Sequence, residues 1–138
     1  MERFGARFHH FGLAVRKPDD AFRYLQLLGY TEGATEYDPL QAVNLAMRHH
    51  SEMPDVEVIW PGVGPSPIDN ILKRRDSLIY HICYKTPDAC ATLAAIEATG
   101  LQVLQVAAAR PAILFGGSNV SFYHINGFGL IELIHDEP

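Results

Sequence analysis

A chain of 138 residues, 48% of them hydrophobic and with a formal net charge of −5, is long enough to bury one ordinary core and reads as a single domain. The negative balance argues against nucleic acid or an anionic membrane as partner, because neutralising phosphates takes clustered Lys and Arg, and here only Lys73, Arg74 and Arg75 cluster. No stretch approaches the roughly 20 apolar residues of a membrane span and residues 1–10 lack an apolar signal core, so a cytoplasmic protein is the expectation.

In chain order, residues 8–15 alternate and are rich in β-formers, which predicts a strand. Pro18 then supplies a first helical position and Asp19 an acid for the first turn. Ala21, Phe22, Leu25 and Leu28 recur at helical spacing until Gly29 ends the helix. Residues 32–35 form a weaker strand, and residues 42–47 and 56–60 form clearer ones. The Gly- and Pro-rich segment 61–67 is a crossing loop, and residues 68–75 read as a short helix.

From residue 78 the pattern starts again. A strand over 78–84 leads to the turn Pro87-Asp88 and a helix carrying Ala91, Leu93, Ala94, Ile96 and Ala98, which stops at Gly100. Strands over 101–106, 120–124 and 129–134 follow, the last two joined through Asn126-Gly127, a hairpin signal. The segments HFGLAVRKPDDAFRYLQLLG (10–29) and HICYKTPDACATLAAIEATG (81–100) share one His-to-Gly spacing, and each half later reaches an acid among apolar neighbours, Glu57 in VEVIW and Glu132 in GLIELI. Such repetition is a fold signal. Each half is expected to be a βαβββ module, the first over about residues 6–62 and the second over about 76–136 of a domain spanning 1–138.

Strand parity says where these side chains point, since successive residues face opposite sides of a sheet. Phe11, Leu13 and Val15 share a side suited to covering by a helix, and His10, Gly12 and Ala14 share the other. Tyr80, Ile82 and Tyr84 likewise oppose His81 and Cys83, and Val56, Val58 and Trp60 oppose Glu57. If the sheets curl together, the small-residue sides bound a hollow whose floor holds His10, Glu57, His81 and Glu132. Two imidazoles and two carboxylates suit a divalent first-row ion, Zn, Mn, Fe, Co or Ni, and a cation would offset the cost of burying both acids. The two cysteines, Cys83 and Cys90, have no C-x-x-C spacing and read as small buried hydrophobes.

The blocks HHFGLAV with its following helix, VEVIWPGVGPSPIDNIL, YHICYKTPD and VSFYHINGFGLIELI resemble, over nearly the whole chain, the vicinal oxygen chelate superfamily, and most of all its methylmalonyl-CoA epimerase-like members. The resemblance implies an α+β fold in which two βαβββ modules form a cupped, eight-stranded mixed sheet with helices on the outer face. It also implies a metal held by His10, Glu57, His81 and Glu132. The expected activity is that of a metal-dependent epimerase, isomerase or glyoxalase-type lyase, acting through an enolate on an activated carbonyl compound such as an acyl-CoA, in a homodimer.

The sequence departs from that family where an acid is expected on the third strand and Asn44-Leu45 stands instead, and where Ile125 follows His124 in place of a proline. Glu132 is then the candidate for both ligand and base, with His49, His50 and His124 as other candidates to enter the cavity. The bare pattern nonetheless favours the surface for His9, His49, His50 and His135, as for the basic cluster. Two other readings differ in kind. An extradiol-type dioxygenase would use His10, His81 and Glu132 as its facial set, and the fourth ligand Glu57 argues against it. A small-molecule-binding protein of the resistance type would typically lack the ligands altogether.

Overall fold

The computed structural model describes residues 5–136 and divides the chain into two compact units, His10–Tyr80 and a second made of residues 5–9 with 81–136. Its elements are β1 (Arg7–Val15), α1 (Asp19–Leu27), β2 (Thr31–Asp38), β3 (Val43–His49), β4 (Asp55–Pro61), β5 (Ser77–Thr86), α2 (Ala89–Glu97), β6 (Val103–Pro111), β7 (Asn119–Ile125) and β8 (Gly129–His135). The α+β class read from the sequence is what the chain adopts: an eight-stranded mixed sheet with two helices.

Both units are wired alike. In the first the strand order is β2-β3-β4-β1, with β4 parallel to β1 and antiparallel to β3. In the second it is β5-β8-β7-β6, with β8 parallel to β5 and antiparallel to β7. A parallel neighbour needs a long crossover connection, and the helix after β1 and after β5 begins each one.

Parity works as the pattern predicts. Leu13, Val15, Val56, Val58 and Trp60 gather under Ala21, Phe22 and Leu25 of α1, with Tyr30 closing the cluster. The Phe22 and Trp60 rings meet edge-on at 5.7 Å, and the Arg48 guanidinium lies 4.1 Å over Phe22. On the second unit Tyr84, Tyr123, Ile125, Ile131 and Leu133 pack with Ala89, Leu93 and Ile96 of α2. Gly29 and Gly100 end the two helices at φ 97° and 90°, where a side chain would be strained.

The helices start differently. Pro18 precedes α1 in helical conformation, so Asp19 and Asp20 fall in its first turn. Asp88 is instead the extended N-cap of α2, its carboxylate accepting from the Ala91 N–H at 3.0 Å. Asp88→Ala is therefore expected to lower stability by about 1 kcal/mol, readable as a shifted urea midpoint at unchanged slope, whereas Asp19→Ala should cost less.

Several elements differ from the sequence reading. The weak strand at 32–35 is a full strand, because pairing to β3 supplies what local propensity lacked. The short helix of 68–75 shrinks to a 3-10 turn, Ile71–Lys73, fastened by the Arg16 side chain, which donates to the Leu72 carbonyl and meets Asp76 at 3.1 Å. A second 3-10 turn, Ile113–Phe115, gave no periodic signal. The Asn126-Gly127 hairpin has three connecting residues, since Ile125 pairs with Gly129. Cys83 is buried as expected, but Cys90 is exposed, because the covered side of α2 is carried by Ala89, Leu93 and Ile96. Lys73, Arg74 and Arg75 are exposed. Among the described residues no helix is long and apolar enough to cross a membrane.

Candidate functional site

Each unit buries one histidine and one glutamate in matching register. In the first, His10 of β1 has no exposed surface and Glu57 of β4 is 3% exposed. Glu57 lies opposite Gly12, two residues beyond His10. In the second, Glu132 of β8 lies opposite Cys83, two residues beyond His81 of β5, and both are buried, at 4% and 2% exposure. A two-residue step on a parallel pair returns to the same side of the sheet, so within each unit the imidazole and carboxylate converge. His10 Nε2 lies 3.6 Å from Glu57 Oε1, ion-pair distance but long for a hydrogen bond; His81 Nε2 lies 3.1 Å from Glu132 Oε1, within hydrogen-bond reach.

The two pairs sit in different company. Around Glu57 the neighbours on its side are small or apolar: Gly12 and Ala14 on β1, and Val43, Leu45 and Met47 on β3, with Met47 directly opposite the acid. On the second unit the same side is filled, because Cys83, Val120 and Ile134 pack with Ala112 and Phe115. Phe122 lies directly opposite Glu132 and meets the His81 ring edge-on at 5.5 Å. Small and aliphatic residues thus surround the first pair, whereas Cys83 and aromatic rings surround the second.

The other histidines have local roles. His50 accepts at Nδ1 from the Glu52 and Met53 N–H groups and places Nε2 3.0 Å from the Leu28 carbonyl, so it ties the end of α1 to the β3–β4 turn. His50→Ala is expected to loosen that turn and lower stability by roughly 1–2 kcal/mol, measurable by thermal unfolding. His49 pairs with Asp55 at 3.0 Å, His135 with the buried Ser121 hydroxyl at 2.7 Å, and His9 meets Phe115 edge-on. His124 is exposed. None of His49, His50 and His124 joins a buried His–Glu pair.

Register also settles the third strand. Asn44 lies opposite Trp60, on the side covered by α1, and donates to the Pro61 carbonyl; Leu45 lies opposite Ile59, on the Glu57 side. That side of β3 carries no acid. The next strand does: Glu36 of β2 is directly opposite Leu45, and Asp38 opposite Val43. Both were missed in the sequence because strand signals were read only to residue 35. Asp38 is spent on its turn, accepting from the Leu40 N–H and the Gln41 amide. Burial, and then the neighbouring Cys83, raise the Tyr84 phenol above its ordinary value, so it stays protonated across the neutral range.

The family model described as "Glyoxalase/Bleomycin resistance protein/Dioxygenase superfamily" matches residues 9–122, a span that includes His10, Glu57 and His81 and stops short of Glu132. No curated protein matches the sequence. Among solved structures, the methylmalonyl-CoA epimerase of Mycobacterium tuberculosis is similar at 23% identity and a TM-score of 0.74, over 95% of this chain and 88% of its own, a likeness of fold alone. A selenomethionine methylmalonyl-CoA epimerase is similar at 26% identity and 0.71, over 95% and 94%. A Streptomyces coelicolor methylmalonyl-CoA epimerase variant, in complex with 2-nitronate-propionyl-CoA, is similar at 25% and 0.71, over 94% and 96%. With a family match over most of its length, the chain belongs to the glyoxalase/bleomycin resistance protein/dioxygenase superfamily.

Proposed function

We propose that the protein is a metal-dependent epimerase or isomerase acting on the carbon next to an activated carbonyl, with an acyl-CoA thioester as its substrate type. His10, Glu57, His81 and Glu132 would together hold one divalent ion, Co, Zn, Mn, Ni or Fe. The observation that carries this reading is the repeated register: each unit buries a histidine and, two residues beyond its strand partner, a glutamate. The donor set fits such an ion, since imidazole and carboxylate are the ligands that borderline first-row metals favour. Two glutamates at 3% and 4% exposure would also be costly to bury without a cation. When bound, the ion supplies Lewis-acid stabilisation of negative charge developing on the substrate carbonyl oxygen.

The chain's own residues do the rest. His10 and His81, fixed on β1 and β5, orient the carboxylates beside them. Glu132 is assigned the second task of moving the α proton. Gly12 and Ala14 keep the Glu57 side of β1 low. Support for the substrate type comes from the epimerase neighbours, one of which is complexed with methylmalonyl-CoA. Residues 1–138 are taken as one functional domain of two modules, about 6–62 and 76–136, since the family match at 9–122 covers most of the first and runs well into the second. A homodimer fits the exposed Leu104 and Val106 on β6, and a cytoplasmic location fits acyl-CoA chemistry.

The test is proton exchange in heavy water with methylmalonyl-CoA and simpler acyl thioesters, alongside elemental analysis. Stoichiometric metal with deuterium uptake at the α carbon is expected. Metal without uptake would move the substrate elsewhere and reopen the dioxygenase reading. Neither metal nor uptake would leave a small-molecule-binding protein.

A further inference from the structure

A cavity of about 590 Å³ opens beside α2, and every residue that lines it belongs to the second unit. Its floor is Ile125, Ile131 and Leu133, none more than 6% exposed. Ile131 and Leu133 flank Glu132 along β8, so alternation puts the cavity on the opposite side of that strand from the acid. The mouth carries Phe8, Leu101 and Phe128, which are 46%, 45% and 61% exposed. Single apolar residues at a surface are ordinary, but three around one opening make a patch of the kind that meets a ligand.

Size and chemistry narrow the occupant. Protein interiors leave few voids larger than a water molecule, whereas ligand sites run to about 300–1,000 Å³, so a space of this size suits a molecule and is no packing defect. Among the described residues no charged side chain lines it. An ion entering would lose its water and gain no partner, which selects for a neutral molecule. Two hydroxyl-bearing residues stand in the wall. Thr92 is spent on Thr86 at 2.7 Å. Tyr84, whose ring stands edge-on to Phe8 at 6.5 Å, gives its hydroxyl to no described residue. Burial keeps that phenol protonated, which leaves one neutral donor in an apolar wall.

We propose that this cavity is a binding site for a small, neutral, mainly apolar molecule whose single carbonyl or ether oxygen accepts from the Tyr84 hydroxyl. The site is separate from the chemistry proposed above. None of its residues belongs to a His–Glu pair, and its occupant is not an acyl-CoA, whose phosphates would find no cation here.

The experiment uses the full chain and the neutral fluorophore N-phenyl-1-naphthylamine, with 2-nonanone and nonanoate as competitors. Saturable fluorescence at one probe per chain is expected, and 2-nonanone should displace the probe at a lower concentration than nonanoate. Tyr84→Phe should weaken 2-nonanone by about 3- to 10-fold, the worth of one hydrogen bond, and leave the probe's own affinity within about twofold. Ala6→Trp, which adds a large ring to the cavity wall, should abolish probe binding at an unchanged Tm. Fluorescence that rises without saturating would overturn the site, as would equal displacement by ketone and carboxylate. If Ala6→Trp does not fold, Tyr84→Phe decides alone, and an undiminished 2-nonanone affinity there overturns the assignment. Probe binding that appears only on dilution, as associated copies part, would also overturn it by giving the cavity to a second copy of the chain.

Discussion

Glu132→Ala is expected to lose the divalent metal, with apparent affinity falling by at least about 100-fold, and Glu57→Ala to behave in the same way. Outer-sphere partners of a metal commonly cost about 10- to 100-fold when removed, so a direct ligand should cost no less. The readout need not be activity. A ligand that binds only the folded state raises its stability by an amount set by its concentration over Kd. Adding Co²⁺ or Zn²⁺ should therefore raise the Tm of the wild-type protein and leave that of either variant nearly unmoved. A matching rise in both variants would remove these glutamates from the ligand set.

The largest expected effect on the fold itself is at Leu25. This α1 residue is 7% exposed and packs against Val15, Tyr30 and Val58. Alanine keeps helix propensity, so Leu25→Ala isolates the lost burial and the void, a cost of about 2–5 kcal/mol and a Tm lower by roughly 10 °C. Leu27, two residues on and 82% exposed, is the control; Leu27→Ala should stay within about 0.5 kcal/mol. Equal effects at the two positions would mean that α1 does not present the Leu25 side to the sheet.

How much of this was legible in the sequence depended on whether local pattern or pairing decides. That His10 and Glu57 would share one side of their sheet, and His81 and Glu132 likewise, was legible because alternation fixes which side a strand residue faces and the repeat put equivalent residues in equivalent places. The helices were found from Phe22, Leu25, Leu93 and Ile96 and from the glycines that end them. The full extent of β2, and with it the placement of Glu36, was missed because β2 is a strand by virtue of its partner β3, and TEGATEYD has little apolar alternation of its own. The filling of the second unit around His81 was invisible for a related reason. Phe115 reaches Cys83 and Ile134 from a 3-10 turn, whose short length leaves no period to read.

If the two His–Glu pairs act together on one ion, breaking either pair must abolish its binding. The most direct measurement is a Co²⁺ titration of metal-free protein, followed by visible absorption and checked by elemental analysis, for the wild type and for His10→Ala and His81→Ala. Saturation at a single ion per chain is expected, with loss of tight binding in both variants, although each alters only one pair. Two ions per chain, with each variant losing one, would show the pairs to be separate sites; undiminished binding in either variant would contradict the shared site outright.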